Sequence, residues 1–295
     1  MTRFAPAPAR GAALFAALLA LAACEQPGGV GADPAGPGDG PGSVQLDPVT
    51  ENNLSEVMLT LADSAASVDY FRRALGRDPT NVSLRQGYAR ALVRDRQNAE
   101  AVQVFDGLAA DGAITSEGRV LLAASQARLN DWDKAEAALN ALPAGFTSMR
   151  EQQLRGMIAD QRQDWPAADV HYEMARQMAP NPAPILNNIG VSLLARGDYP
   201  AAETAFRDAL DHDATLFEAK NNLALSFALR RRYTLPVLAL TEEERAILLH
   251  NVAMVALRQG DREVAINLLE RSVETHPRHW GPAADKLAAL KAAKG

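Results

Sequence analysis

A spacing close to 34 residues constrains this chain more than any other feature. Small residues stand at Ala89, Ala123, Gly156, Gly190, Ala224 and Ala253, separated by 34, 33, 34, 34 and 29 residues. A second small position recurs at Ala101, Ala135, Ala168, Ala202 and Ala265. Four residues after each comes a bulky one: Phe105, Leu139, Tyr172, Phe206 and Leu269. The stretch from Ile185 to Leu210 shows the unit complete. Leu186, Ile189, Gly190 and Leu193 share one face of a helix, and Ala202, Phe206 and Ala209 one face of a second. Between them, Gly197 offers the left-handed conformation that closes a helix, and Asp198 offers a cap for the next. Pro200 falls in a first turn, where its missing N–H is harmless. The small residues let the helices approach, and the bulky residue fills the remaining gap. One hairpin of this kind cannot bury its apolar face, but a stack of copies can.

This pattern of small, bulky and small residues resembles the tetratricopeptide (TPR) repeat, a helical hairpin. The resemblance implies an all-α, TPR-like solenoid of about seven hairpins over residues 50–279, followed by a C-terminal capping helix in 280–295. In that cap, Leu287 and Leu290 face one side and lysines the other. The first hairpin has a degenerate first helix around Leu54 to Leu61, then a clear second helix carrying Phe71, Ala74 and Leu75. Trp132, Trp165 and Tyr199 recur at the hinges and read as packing residues. The sixth repeat breaks the pattern after Leu229. Pro236 stands where its second helix needs a small residue, and Leu235 to Leu240 is too short for a full helix. That piece is either a plug for the stack or a partner contact. Arg230, Arg231 and Arg232 read as a solvated helix C-terminus, where positive charge suits the dipole. Thr241 and Glu244 predict a capping box for a helix running to about Arg258.

The N-terminus reads differently. Arg3 and Arg10 precede and flank an apolar run, Gly11 to Ala23, too short to span a bilayer and matching a signal-peptide core. Leu21-Ala22-Ala23-Cys24 resembles a bacterial lipobox. The resemblance implies a leader at 1–23 and acylation of Cys24, the single cysteine of the chain. The absence of Asp after Cys24 implies an outer-membrane lipid anchor facing the periplasm. Residues 24–49 are rich in Gly and Pro and poor in large apolar residues, so they read as a tether. With one cysteine there is no internal disulfide. A formal net charge of −6 argues against a nucleic-acid partner.

No catalytic constellation is present: there is no nucleophile elbow, Walker loop, paired cysteines or His-Glu-x-x-His, so the chain reads as a non-enzyme without cofactors. His276 and His279 lack a third ligand at metal spacing. The candidate site is instead the face made by the first helices. The position two residues before the small one holds Asn188, Asn222 and Asn251, and its neighbour holds Asn187, Asn221 and His250. Each asparagine offers a donor and an acceptor, so a row of them suits an extended peptide backbone. The alternative is local bonding that holds the hairpins. Arg90, Arg94 and Arg128 form a further stripe, suited to acidic segments or simply solvated. The layout from Cys24 to the cap, with Asn-Asn-Leu-Ala-Leu at 221–225, resembles the TadD family of TPR lipoproteins from the Flp (Tad) pilus assembly system. That resemblance implies a periplasmic protein-binding scaffold whose partner is the outer-membrane secretin or another pilus component. Two alternatives stand beside it: an adaptor for outer-membrane protein assembly or cell-wall hydrolases, and a cell-envelope enzyme with an unrecognised site.

Overall fold

The computed structural model describes residues 62–292, with Ser55 and residues 58–60. The expected leader, Cys24, the tether and most of the expected first helix lie outside them. Among the described residues every regular element is an α-helix, and the fold is an all-α, TPR-like solenoid. Helix α1 (Ser64–Arg77) is the second helix of the first hairpin. Complete hairpins follow as α2 (Val82–Arg94) with α3 (Asn98–Ala110), α4 (Ser116–Arg128) with α5 (Trp132–Asn140), and α6 (Met149–Gln161) with α7 (Trp165–Met178). Next come α8 (Ala183–Arg196) with α9 (Tyr199–His212), then α10 (Phe217–Leu229) without a helical partner. Helices α11 (Glu242–Arg258), α12 (Arg262–Thr275) and α13 (Gly281–Ala292) complete the order. The chain divides into two compact units, one ending at His171 and the other beginning at Tyr172.

The periodic residues make the core of each unit. Ala89, Ala101, Phe105, Ala123, Ala135 and Leu139 are buried in the first, and Ala202, Phe206, Ala224, Ala253, Ala265 and Leu269 in the second. Close approach is most evident at Gly190. A Cβ added there would lie 2.7 Å from Cδ1 and 2.8 Å from Cζ of Phe206, and closer still to Cε1. Gly87 faces Phe71 of the preceding hairpin in the same way.

Every hinge uses one backbone solution. Arg96, Asn130, Gln163, Gly197, Arg231 and Gly260 all take positive φ, between 58° and 84°. Each is followed by an N–H that bonds the carbonyl five residues back, as Asp198 does to Leu193 at 3.0 Å and Asp131 to Gln126 at 2.8 Å. This is the helix-closing motif that needs a left-handed residue. It recurs with the period of the small residues. Asp198 then caps α9 through Ala201 N–H, and Thr241 and Glu244 form the expected capping box on α11.

The sixth repeat keeps its first helix and its turn and loses its second helix. Tyr233 to Leu240 forms no backbone–backbone hydrogen bond among the described residues. Leu235 and Leu240 pack on the α11–α12 core and Leu238 on the cluster around Phe206 and Phe227, so the segment is a plug. Pro236 is buried, and Val237 is 99% exposed at the tip. The arginine run is exposed, as expected, and is also paired. Arg230 donates to Glu203 at 3.1 Å, Arg231 to Asp261 at 2.7 Å, and Arg232 lies 3.7 Å over the Phe227 ring while also facing Glu203. With no second helix present, these side chains and the Tyr233 hydroxyl, which donates to Asp261, bridge α9, α10 and the start of α12. The cap α13 lays Leu287 and Leu290 against the last hairpin.

Candidate peptide-binding face

In the unit that begins at Tyr172, the first helices α8, α10 and α11 lie side by side. A partly buried ion pair holds α10 and α11 in register: Lys220 Nζ sits 2.9 and 3.1 Å from the two Glu244 oxygens. Glu244 also closes the capping box, so one carboxylate fixes both the start of α11 and its position against α10. Desolvating such a pair is costly unless both partners stay bonded, which they do here.

The six residues predicted for this face divide into two groups. Asn251 Nδ2 donates to Asn221 Oδ1 at 2.8 Å, and Asn222 Nδ2 donates to Asn187 Oδ1 at 2.9 Å. The Asn221 amide in turn lies 3.5 Å from Asn222 Oδ1. The result is a ladder in which the asparagine of one repeat donates to the neighbouring position of the repeat before it. Asn221 and Asn251 are only 5% and 3% exposed, so their amides serve this ladder rather than a row of open contacts. Asn187, Asn188, Asn222 and His250 are half-buried. Asn188 makes no side-chain hydrogen bond among the described residues, which leaves its donor and acceptor free. His250 packs edge-on against Trp280, with ring centres 5.0 Å apart, and His276 stacks on the same indole at 5.4 Å. Burial, then the positive charge of Lys286, lowers the His250 pKa, and Nδ1 is buried with no partner.

The arginine stripe falls in the other unit. Arg94 is spent on α1 and the chain before it: it donates to the Leu59 carbonyl, to Ala62 O at 2.5 Å and to Ser67 Oγ at 2.6 Å. It is therefore a clamp on that segment and unavailable to a partner. Arg90 stands on the rim of a cleft of about 270 Å³ floored by Phe105 and Leu108.

A second cleft, of about 140 Å³, was not visible in the sequence. His171 lines it with Glu136, Arg155, Arg162 and Asp164. Gln152 donates to Glu151 at 2.8 Å, which turns its carbonyl towards His171 Nδ1 at 2.8 Å. No spacing rule in the sequence links Glu151, Gln152 and His171, because the contact crosses from α6 to α7. Among the described residues, no group of three or more His, Cys, Asp or Glu side chains is placed to hold a metal ion, and no helix is long and apolar enough to cross a membrane.

Comparison with known proteins agrees with this architecture. The family description "Tetratricopeptide repeat" matches residues 187–242, which cover α9, α10 and most of α8. Cellulose synthase operon protein C of Pseudomonas fluorescens (strain SBW25) is 27% identical over 135 residues, 46% of this chain. The match spans only 10% of the length of that relative. Among solved structures, a chain of the APC/C hetero-tetramer Cut9-Hcn1 is similar with a TM-score of 0.54 at 17% identity, covering 81% of this chain and 48% of that one. A tetratricopeptide repeat protein from Parabacteroides merdae ATCC 43184 gives 0.53 at 15% identity, covering 81% and 96%. At these identities the likeness is one of fold. TPR-repeat proteins are typically non-enzymatic scaffolds for protein–protein interaction. The repeat period, the stacked hairpins and the match over 187–242 together give this chain a TPR-like fold.

Proposed function

We propose that this protein is a scaffold that binds an extended segment of a partner protein along α8, α10 and α11. The observation that carries the reading is Asn188, a half-buried amide with both hydrogen-bonding groups free beside a ladder that fixes its neighbours. A rigid, pre-formed row loses little entropy on binding, so each contact counts more fully. The setting we propose is periplasmic, with the chain lipid-anchored to the outer membrane through Cys24 and acting in Flp (Tad) pilus assembly on the secretin or a neighbouring component. Support for that setting is the Leu-Ala-Ala-Cys motif and the layout of repeats and cap. The likeness to cellulose synthase operon protein C favours a second setting, a scaffold within a polysaccharide-synthesis apparatus.

The test is a pull-down from solubilised envelopes with the parent chain and Asn188→Ala. Losing two net hydrogen bonds of about 0.5–1.5 kcal/mol each weakens binding by roughly fivefold to a hundredfold. Recovery of the same partner at parental levels by a folded Asn188→Ala would remove this face from the mechanism. The anchor is tested separately: Cys24→Ser is expected to leave the membrane fraction, and its retention there would rule out lipidation. Secretin among the captured proteins supports the pilus setting, and a polysaccharide synthase subunit supports the second.

A further inference from the structure

Helix α13 is fastened to the last hairpin at both ends. Near its C-terminus, Lys291 pairs with Glu270 of α12 at 2.8 Å, and Arg262 donates to the Leu290 carbonyl. Just before its first turn, Trp280 packs on the α11–α12 core, and its carbonyl accepts from Ala284 N–H at 3.2 Å. Two histidines touch that indole, and they differ in what an added proton would meet. His276, just after α12, stacks on it with 13° between the planes, and its Nδ1 lies 2.8 Å from the Arg278 carbonyl. A protonated His276 keeps that acceptor, and a cation over an indole face is favourable. His250, on α11, has its Nδ1 buried with no partner. Among the described residues no carboxylate forms an ion pair with it. Glu244 of its own helix is bound to Lys220 of α10, and Glu270 of α12 to Lys291 of α13. Burial, then the charge of Lys286 on α13, hold the His250 pKa below its ordinary value of 6.5. A proton on His250 therefore makes a largely buried, unpaired cation beside a like charge.

We propose that α13 is an acid-sensitive cap: a proton on His250 unseats Trp280 and loosens the helix from the last hairpin. The neutral imidazole packs edge-on against the indole, 5.0 Å between ring centres, and needs no further partner for its ring carbons. The charged ring regains water only where Trp280 moves away from it, and Trp280 leads directly into α13 at Gly281. The docked cap favours a neutral ring and the undocked cap leaves an ordinary histidine. Docking is therefore full above the ordinary value of 6.5 and weakens as pH falls below it, until the docked ring itself titrates. One linked proton weakens it by at most about tenfold per pH unit. Loosening bares the side of the last hairpin that Leu287 and Leu290 cover. The device acts with or without a partner on the asparagine face.

The experiment is hydrogen–deuterium exchange of the full chain about one pH unit above and one below the ordinary histidine value, corrected for the intrinsic pH dependence of exchange. Peptides covering α13 are read beside peptides covering α9. Protection of α13 is expected to fall by about threefold to tenfold at the lower pH, and protection of α9 to stay the same. His250→Phe keeps an aromatic ring against Trp280 and takes no proton, so its α13 protection is expected to be the same at both pH values. His276→Gln is expected to show the parental fall. A nuclear magnetic resonance titration of the parent reads the His250 ring directly and needs no variant to fold; a pKa below the ordinary histidine value is expected. Equal α13 protection at both pH values, a parental fall in His250→Phe, loss of the fall in His276→Gln, an equal fall in α9, or a His250 ring that titrates at or above the ordinary value overturns the proposal.

Discussion

Gly190→Ala is the smallest change that tests the packing account. The added methyl would meet the Phe206 ring at 2.7 and 2.8 Å from two of its carbons, with a third closer. Phe206 is fully buried, so the ring has no open side to swing towards. Overpacking of this kind costs about 1–3 kcal/mol. The substitution also gains about 1 kcal/mol, because alanine favours the helix over glycine. The balance is a loss of about 1 kcal/mol, or roughly 2–4 °C in Tm for a domain of this size. Gly76 in α1 supplies the control, since nothing lies within 4 Å of a Cβ built there. Gly76→Ala is expected to stabilise by about 0.5–1 kcal/mol. Phe206→Leu should relieve the clash, so the double variant with Gly190→Ala should be more stable than additivity allows, by about 1 kcal/mol. Urea unfolding followed by circular dichroism measures all four chains. Gly190→Ala stabilising as much as Gly76→Ala would refute the close contact and the register built on it.

Three further outcomes follow from individual contacts. Asn221→Ala or Asn251→Ala, each leaving a buried amide without its partner, is expected to cost about 1–3 kcal/mol in the same unfolding assay, whereas Asn188→Ala costs less than about 0.5. Equal costs would contradict the ladder. The Tyr233 hydroxyl, pushed up to about 12 by burial and then by Asp261, stays protonated in the folded chain above the pH at which a free tyrosine ionises. A raised folded pKa gives stability that is full below about pH 10 and lost as pH climbs towards 12. Thermal melts across that window should fall less steeply for Tyr233→Phe than for the parent, and parallel slopes would exclude the effect. Gln163 holds a left-handed φ of 58°, a conformation costing an ordinary residue about 1–2 kcal/mol, so Gln163→Gly is expected to raise stability by up to about 1 kcal/mol despite the flexibility glycine adds to the unfolded chain.

The repeat register was legible because its positions admit few residues. A site such as Ala123 or Gly190, closed on all sides by a neighbouring helix, accepts only a small residue, and the spacing therefore survives in the letters. The capping box at Thr241 and Glu244 was legible for a similar reason, since its two bonds need those side chains three apart. The hinges were legible in position but not in backbone conformation, except where glycine marks it. Of the six left-handed residues only Gly197 and Gly260 are glycines, and Arg96, Asn130, Gln163 and Arg231 carry the same backbone with nothing in their side chains to announce it. At the candidate face, Asn251 bonds Asn221 and Asn222 bonds Asn187, and such partner choice lies between repeats. Whether an amide points to solvent or to the next helix depends on the offset of two helices, which the pattern along one of them does not encode. The roles of Asn221, Asn251 and Arg94 and the tying of the Arg230–Arg232 run to Glu203 and Asp261 belong to that class.

The most direct test of the scaffold claim is site-specific photo-cross-linking in cells. A benzophenone amino acid placed at Asn188 reports contact with the α8–α10–α11 face, and one at Val170, which is 59% exposed on α7, reports contact with a second-helix face. A discrete cross-linked partner from position 188 and none from position 170 is the predicted result. The same partner captured from position 170, with position 188 silent, would contradict recognition through the first helices.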